Sequence, residues 1–267
     1  MTESAVLSEF HEPGIAVLTL NRPDRLNAWN GEMATAYFSL LDEAAANPMV
    51  KVIVVTGAGR GFCAGADMGT LQGIGESSGS GGAQAAAGGR PQYDTTLIPK
   101  PVIAAINGAC AGIGMVQALM CDIRFAAAGA KFTTAFSRRG LIAEYGMAWV
   151  LPRLVGTSRA MDLLFSGRVF LAEEAAEMGM VSAVVGPELL MQHTLAYAAD
   201  LATNASPTSM AVMKRQVYAD QGRSLVESND EAIELMKASL RRADFKEGVA
   251  SFVEKRPPAF GPIVADA

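Results

Sequence analysis

With 267 residues, half of them hydrophobic, the chain is long enough for one large domain, or one domain with an appendage, around a sizeable core. Its formal net charge of −5 argues against a nucleic-acid partner. Three cysteines, an odd number, fit a reducing, cytoplasmic setting better than a disulfide scaffold; their spacing fits no zinc pattern, and with only two histidines, His11 and His193, no metal site is expected.

The start, Met1-Thr-Glu-Ser-Ala5, has no basic segment, and Glu9, His11 and Glu12 break up the next few residues, so no secretory signal is expected. Gly14–Leu20 reads as a strand closed by the turn Asn21-Arg-Pro. Asn30 can cap a helix running to about Ala46, with Met33, Tyr37, Leu40, Leu41 and Ala44 on one face; Asn47-Pro48 ends it. Lys51–Thr56 is a buried strand, and a glycine loop comes directly after it. Residues 69–91, rich in Gly, Ser, Ala and Gln, read as a flexible segment or lid.

The strand–loop–helix pattern then recurs: strand Pro101–Ile106, loop Asn107–Gly112, helix Ile113–Met120 and strand Asp122–Ala126. Val102–Cys121 is a charge-free run of twenty residues, long enough to span a bilayer. Asn107, Gln117, three glycines and a strand-like left half argue for a buried segment instead, and no membrane partner is expected. From Pro187 the chain reads as helical: Pro187 and Pro207 suit first turns, Ser206 can cap, and Leu225–Leu240 has apolar helical spacing. The repetition suggests stacked ββα units, although periodicity does not separate a spiral from a doubly wound sheet.

Two familiar motifs fail on their context. Gly57-Ala-Gly-Arg-Gly after a strand resembles a dinucleotide loop, but residue 62, where the third glycine belongs, is Phe. Gly75-Glu-Ser-Ser-Gly79 matches a nucleophile elbow, yet Ser77 lies in the low-complexity segment with no strand before it. What remains is a pair of small-residue loops, Gly61-Phe-Cys-Ala-Gly-Ala-Asp67 and Asn107-Gly-Ala-Cys-Ala-Gly-Ile-Gly-Met-Val116, each after a strand-like run. Small residues let two backbone N–H groups approach one carbonyl oxygen, which is what an oxyanion hole requires.

Together with Asn21–Ala28, Cys121-Asp-Ile123, Ala172–Gly179 and the tail Phe252–Arg256, these loops resemble the enoyl-CoA hydratase/isomerase (crotonase) family, in order and over nearly the whole chain. The resemblance implies an α/β fold: a spiral ββα acyl-CoA-binding core over residues 1–200 and a C-terminal helical oligomerisation region over 201–267, assembling as a homotrimer or hexamer. It also implies an acyl-CoA substrate and no cofactor beyond that substrate's CoA moiety. The oxyanion donors would be the N–H groups of Ala66 and Ile113, the latter at a helix start whose partial positive charge favours a developing oxyanion.

The two glutamate positions of the hydratase pattern fall on Val116 and Phe136, both apolar. A third acid position, used in isomerase-like and dehalogenase-like branches, falls on Glu144. A carboxylate there, beside Ile142, Ala143, Tyr145, Met147 and Trp149, would be partly desolvated and its pKa raised towards that of a general base. By the same resemblance Arg25, Ala64, Asp67, Phe252 and Lys255 match CoA-binding positions. Gly69 stands where many relatives have a phosphate-binding Lys, and Arg25 could partly replace it. Met68, Val116, Phe136, Ile142 and Trp149 are expected to line the substrate pocket. The activity implied is a shift of a double bond from 3-enoyl-CoA to 2-enoyl-CoA, with water addition to 2-enoyl-CoA, or silent acyl-CoA binding, as alternatives.

Overall fold

The computed structural model describes residues 4–67, 69 and 90–263; most of the expected lid, and Met68, lie outside them. Ile15–Leu20 (β2) pairs antiparallel with Val6–His11 (β1), a strand the sequence pattern did not mark. It then runs parallel to Val52–Gly57 (β3), followed across the sheet by Val102–Ile106 (β5), Ile123–Ala127 (β7) and Ala183–Val185 (β10). Every residue of β3 and β5 is buried, because both faces of this six-stranded sheet are covered. Helix α1 (Gly31–Ala46) brings Met33, Tyr37, Phe38 and Leu41 into one core with Leu18, Ile53 and Val55. On the other face Leu190, Ala198 and Ala202 of a later helix meet Val17, Val54 and Ile103. The expected cap is formed, with Asn30 Oδ1 accepting from Met33 N at 2.9 Å.

A second, four-stranded sheet takes the strands in between: Gly61–Cys63 (β4), Ala109–Ala111 (β6), Lys131–Thr133 (β8) and Phe170–Leu171 (β9), in the order β4-β6-β8-β9. The chain thus alternates between sheets, β3 to β4, β5 to β6, β7 to β8, and is a spiral rather than a doubly wound sheet. Asn107–Gly112, expected as loop, contains β6, and the glycine loop after β3 contains β4. Three-residue strands of Gly, Ala and Cys carry little β signal, and neighbours impose them. The packing is tight enough to require glycine: a Cβ on Gly108 would stand 2.2 Å from Arg60 O.

The charge-free run becomes β5, β6 and a short helix. The next described helices after α1 are Asp94–Leu97 (α2) and Ile113–Met120 (α3), and all eight residues of α3 are buried. No helix among the described residues is long and apolar enough to cross a membrane. Met147–Val155 (α4), Thr157–Ser166 (α5), Ala172–Glu177 (α6) and Leu190–Asn204 (α7) come after them. Pro207–Asp220 (α8), Leu225–Ser239 (α9) and Ala243–Glu254 (α10) close the chain. Ser206 caps α8, and Ser224 with Glu227 forms a capping box on α9. Helix α9 buries no residue in the single chain, and Leu225, Val226 and Phe252 are exposed.

Candidate active site

The first loop is shaped from a distance. Leu26 and Asn27 both adopt left-handed backbone, φ 49° and 55°. The buried Asn27 amide donates to Ala58 O at 2.9 Å and Gly61 O at 2.7 Å and accepts from Arg22 N at 2.8 Å. This turn presents Leu26 O to Ala64 N at 3.0 Å. Trp29 then bridges Ala66 in parallel: Trp29 N donates to Gly65 O (2.8 Å) and Asp67 N to Trp29 O (2.9 Å). Strand alternation turns the Ala66 N–H the other way, and it has no acceptor among the described residues.

The second loop abuts the first. Gly112 N donates to Thr133 O at 3.0 Å, tying the loop to β8. A Cβ on Gly112 would lie 4.0 Å from both Gly65 Cα and Phe136 Cε1, so the two loops and Phe136 meet at van der Waals distance. Helix α3 starts at Ile113, whose N–H likewise has no acceptor among the described residues. Two free backbone donors on adjoining loops, one at a helix N-terminus, are equipped to stabilise negative charge on an oxygen.

The segment that carries Glu144 is anchored on either side of it, at Phe136 and at Gly146. Phe136 O accepts from Arg139 N (2.9 Å) and Leu141 N (3.0 Å), folding the chain back beneath the second loop. Tyr145 and Gly146 then turn left-handed, φ 52° and 81°. A Cβ on Gly146 would stand 3.2 Å from Met120 Cε, so the turn rests on the last residue of α3. The Glu144 side chain is partly buried, and burial alone raises its carboxyl above the usual range. Of its expected surroundings, Ala143, Tyr145 and Met147 pack on the core. Ile142 does not: it is 80 % exposed. Trp149 is also largely open, its ring faced by the Arg153 guanidinium at 4.1 Å. The left-handed turn rests the segment on α3 and leaves these two side chains exposed in the single chain. Val116 and Phe136 are buried in the main core cluster.

The positions matched to CoA binding divide. Arg25 is exposed. The Ala64 N–H is already bonded to Leu26 O, and its carbonyl accepts no hydrogen bond from the described residues. Asp67 accepts from Arg22 Nη2 at 2.8 Å and Gly69 N at 3.0 Å, and the guanidinium bond holds its carboxyl below the usual range. Phe252 (85 % exposed) and Lys255 lie on the outer face of α10 and at its C-terminal cap. Arg22 is the organising residue the sequence did not single out, since it also donates to Ala28 O. Arg22→Met should therefore lower stability by about 1–2 kcal/mol in urea titrations and weaken turnover, because the fork ties the Asp67 end of the first loop to the turn that ends at Ala28. Arg22→Lys should recover only part of this, since a single ammonium nitrogen lacks the two-nitrogen fork that reaches Ala28 O and Asp67 together.

All three cysteines are buried, and desolvation pushes the Cys63 and Cys121 thiols up to about 12, which disfavours the thiolate.

Residues 11–262 match the family model described as Enoyl-CoA hydratase/isomerase. A 1,2-epoxyphenylacetyl-CoA isomerase of Escherichia coli K12 is 38 % identical over 252 residues, 93 % of this chain and 95 % of that one. A probable enoyl-CoA hydratase of Rhodobacter capsulatus is 38 % identical over 92 % of this chain and 94 % of its own. Among solved structures, an enoyl-CoA hydratase from Mycobacterium marinum shares 53 % identity, covering 83 % of this chain and all of that one, with a TM-score of 0.71. A Polaromonas enoyl-CoA hydratase superposes with a TM-score of 0.89 at 30 % identity, covering 96 % of this chain and 99 % of its own.

Proposed function

The chain belongs to the enoyl-CoA hydratase/isomerase family, and from that premise we propose that it moves a double bond in an acyl-CoA thioester, converting 3-enoyl-CoA to 2-enoyl-CoA. The observation that carries this reading is the acid inventory: the two hydratase acid positions are the buried, apolar Val116 and Phe136, while Glu144 keeps a carboxylate whose pKa burial has raised. In this mechanism Glu144 removes a proton from C2, which the thioester acidifies. The C3–C4 double-bond electrons shift to C2–C3 through an enolate whose oxygen accepts from Ala66 N–H and Ile113 N–H. The protonated Glu144 then returns the proton at C4. Each donor aimed at the enolate oxygen would be worth roughly 3–4 kcal/mol in the transition state.

Several relatives carry hydratase in their names, so water addition with Glu144 as the activating base is the second reading. Separate incubations with 3-enoyl-CoA and 2-enoyl-CoA decide between them. Migration of the double bond supports isomerisation, 3-hydroxyacyl-CoA supports hydration, and neither product from either tube leaves a binding protein.

We also propose a homotrimer or dimer of trimers in which residues 201–267 supply the contacts and Phe252 and Lys255 approach a neighbour's CoA. The support is the apolar surface left open on α9 and α10, where Leu225, Val226, Phe252 and Val253 are each more than two-thirds exposed. Sedimentation should give a trimer or hexamer; a stable monomer that binds CoA tightly would exclude this assembly.

A further inference from the structure

Among the described residues, three deeply buried side chains have polar atoms with no hydrogen-bond partner: Trp29 at Nε1, and Gln92 and Gln117 at both amide nitrogen and oxygen. They are 1 %, 1 % and 2 % exposed. Buried amides are almost always paired, so an amide orphaned at both ends calls for a partner from outside the chain. Trp29 and Gln117 sit on elements that carry the candidate site, and Gln92 precedes α2, which packs against one of them.

Gln117 lies one turn beyond Ile113 on α3, on the helix face that also carries Val116 and Met120. Met120 in turn meets the turn after Glu144, through its Cε at 3.2 Å from the Cβ position of Gly146. Gln117 thus lies on α3 between Ile113, the proposed oxyanion donor, and Met120, which meets the turn that follows the proposed base. Trp29 bridges Ala66 and meets Tyr37 edge-on at 5.6 Å between centroids. The Tyr37 hydroxyl is 3.2 Å from Thr95 Oγ1 on α2, the helix that Gln92 leads into and that packs against α3. From α3 the circuit closes through Gly112 to Gly65 and Ala66. Trp29 and Gln117 thus belong to elements joined through these contacts around the two loops, and Gln92 precedes the short helix that links them.

We propose that Gln117 and Gln92 are specificity-determining residues that select acyl-CoA thioesters bearing a second oxygen, a hydroxyl or carbonyl, on the acyl group. An amide both donates and accepts, so it can satisfy a hydroxyl completely, whereas an alkyl chain leaves it unpaired in an apolar setting. The inference rests on the acyl-CoA reading and refines it.

The test is calorimetric binding of hexanoyl-CoA and of its 3-, 5- and 6-hydroxy derivatives to the full-length protein, to Gln117→Met and to Gln92→Leu. At least one hydroxylated thioester should bind the parent about tenfold or more tightly than hexanoyl-CoA. That preference should shrink towards unity in the variants. Without ligand, both variants should melt at higher temperature than the parent, because an apolar side chain removes an uncompensated desolvation cost. Equal binding of all four thioesters by the parent, a preference that survives both substitutions, or lowered melting in both variants would overturn the proposal while leaving the acyl-CoA reading intact. If no thioester binds the parent at all, the acyl-CoA reading itself fails and takes this refinement with it.

Discussion

Glu144→Gln should lower turnover of 3-enoyl-CoA by about 10²–10⁴-fold, the usual worth of a positioned acid/base, with fold, assembly and acyl-CoA affinity retained. Glu144→Asp should fall between, since the shorter arm misplaces the carboxylate without removing it. The raised carboxyl sets the pH dependence. A base must be ionised to accept a proton, so kcat/KM should rise with pH through a value above that of an ordinary glutamate, and this acid limb should vanish in the Gln variant. Stability has the opposite sign. With a folded pKa above the unfolded one, the native state binds more protons in the interval between them, so the Glu144 contribution declines as pH rises through that window. Gln cannot titrate, and the variant's melting temperature should not show that decline. Parental turnover in folded Glu144→Gln would rule out this residue as the base.

What the sequence made legible was whatever could be read locally. The Asn30 cap, the stop at Asn47-Pro48 and the bounds Ile113–Met120 all depend on side chains within a few residues of the boundary they set. The two small-residue loops were visible because glycine is needed where backbones touch, as at Gly65 and Gly112. Contacts far apart in sequence were not legible. The Arg22–Asp67 pair joins residues 45 apart, and neither residue carries a sign of its partner. β4 and β6 escaped because their residues are strand-forming only by virtue of the neighbouring strand. The outward placement of Ile142 and Trp149 depends on a left-handed Tyr145, a conformation no pattern of apolar residues announces. Gln117 passed as one polar residue in an apolar run, and only its lack of a hydrogen-bond partner among the described residues sets it apart.

Gly65→Val should cost turnover about 10²–10³-fold, the measured scale for losing one oxyanion donor, while the protein still folds. Gly65 has φ +109°, and a Cβ there would sit 3.3 Å from Ala111 O on β6. A β-branched residue must leave that backbone conformation, and the peptide that moves first is the one carrying the Ala66 N–H. Two other glycines separate this effect from general damage. Gly129 also has positive φ, 73°, but a Cβ there meets nothing within 4 Å, so Gly129→Ala should bear only about 1 kcal/mol of backbone strain and keep its turnover. Gly114 lies at the other extreme: its Cβ would be 2.2 Å from Cys63 O, so Gly114→Ala should force α3 away from β4 and be lost as unfolded protein. Comparing kcat/KM with urea midpoints for the three variants places Gly65→Val alone in the class that is folded but slow. If it turns over at the rate of Gly129→Ala, the first loop does not supply a donor to the reaction.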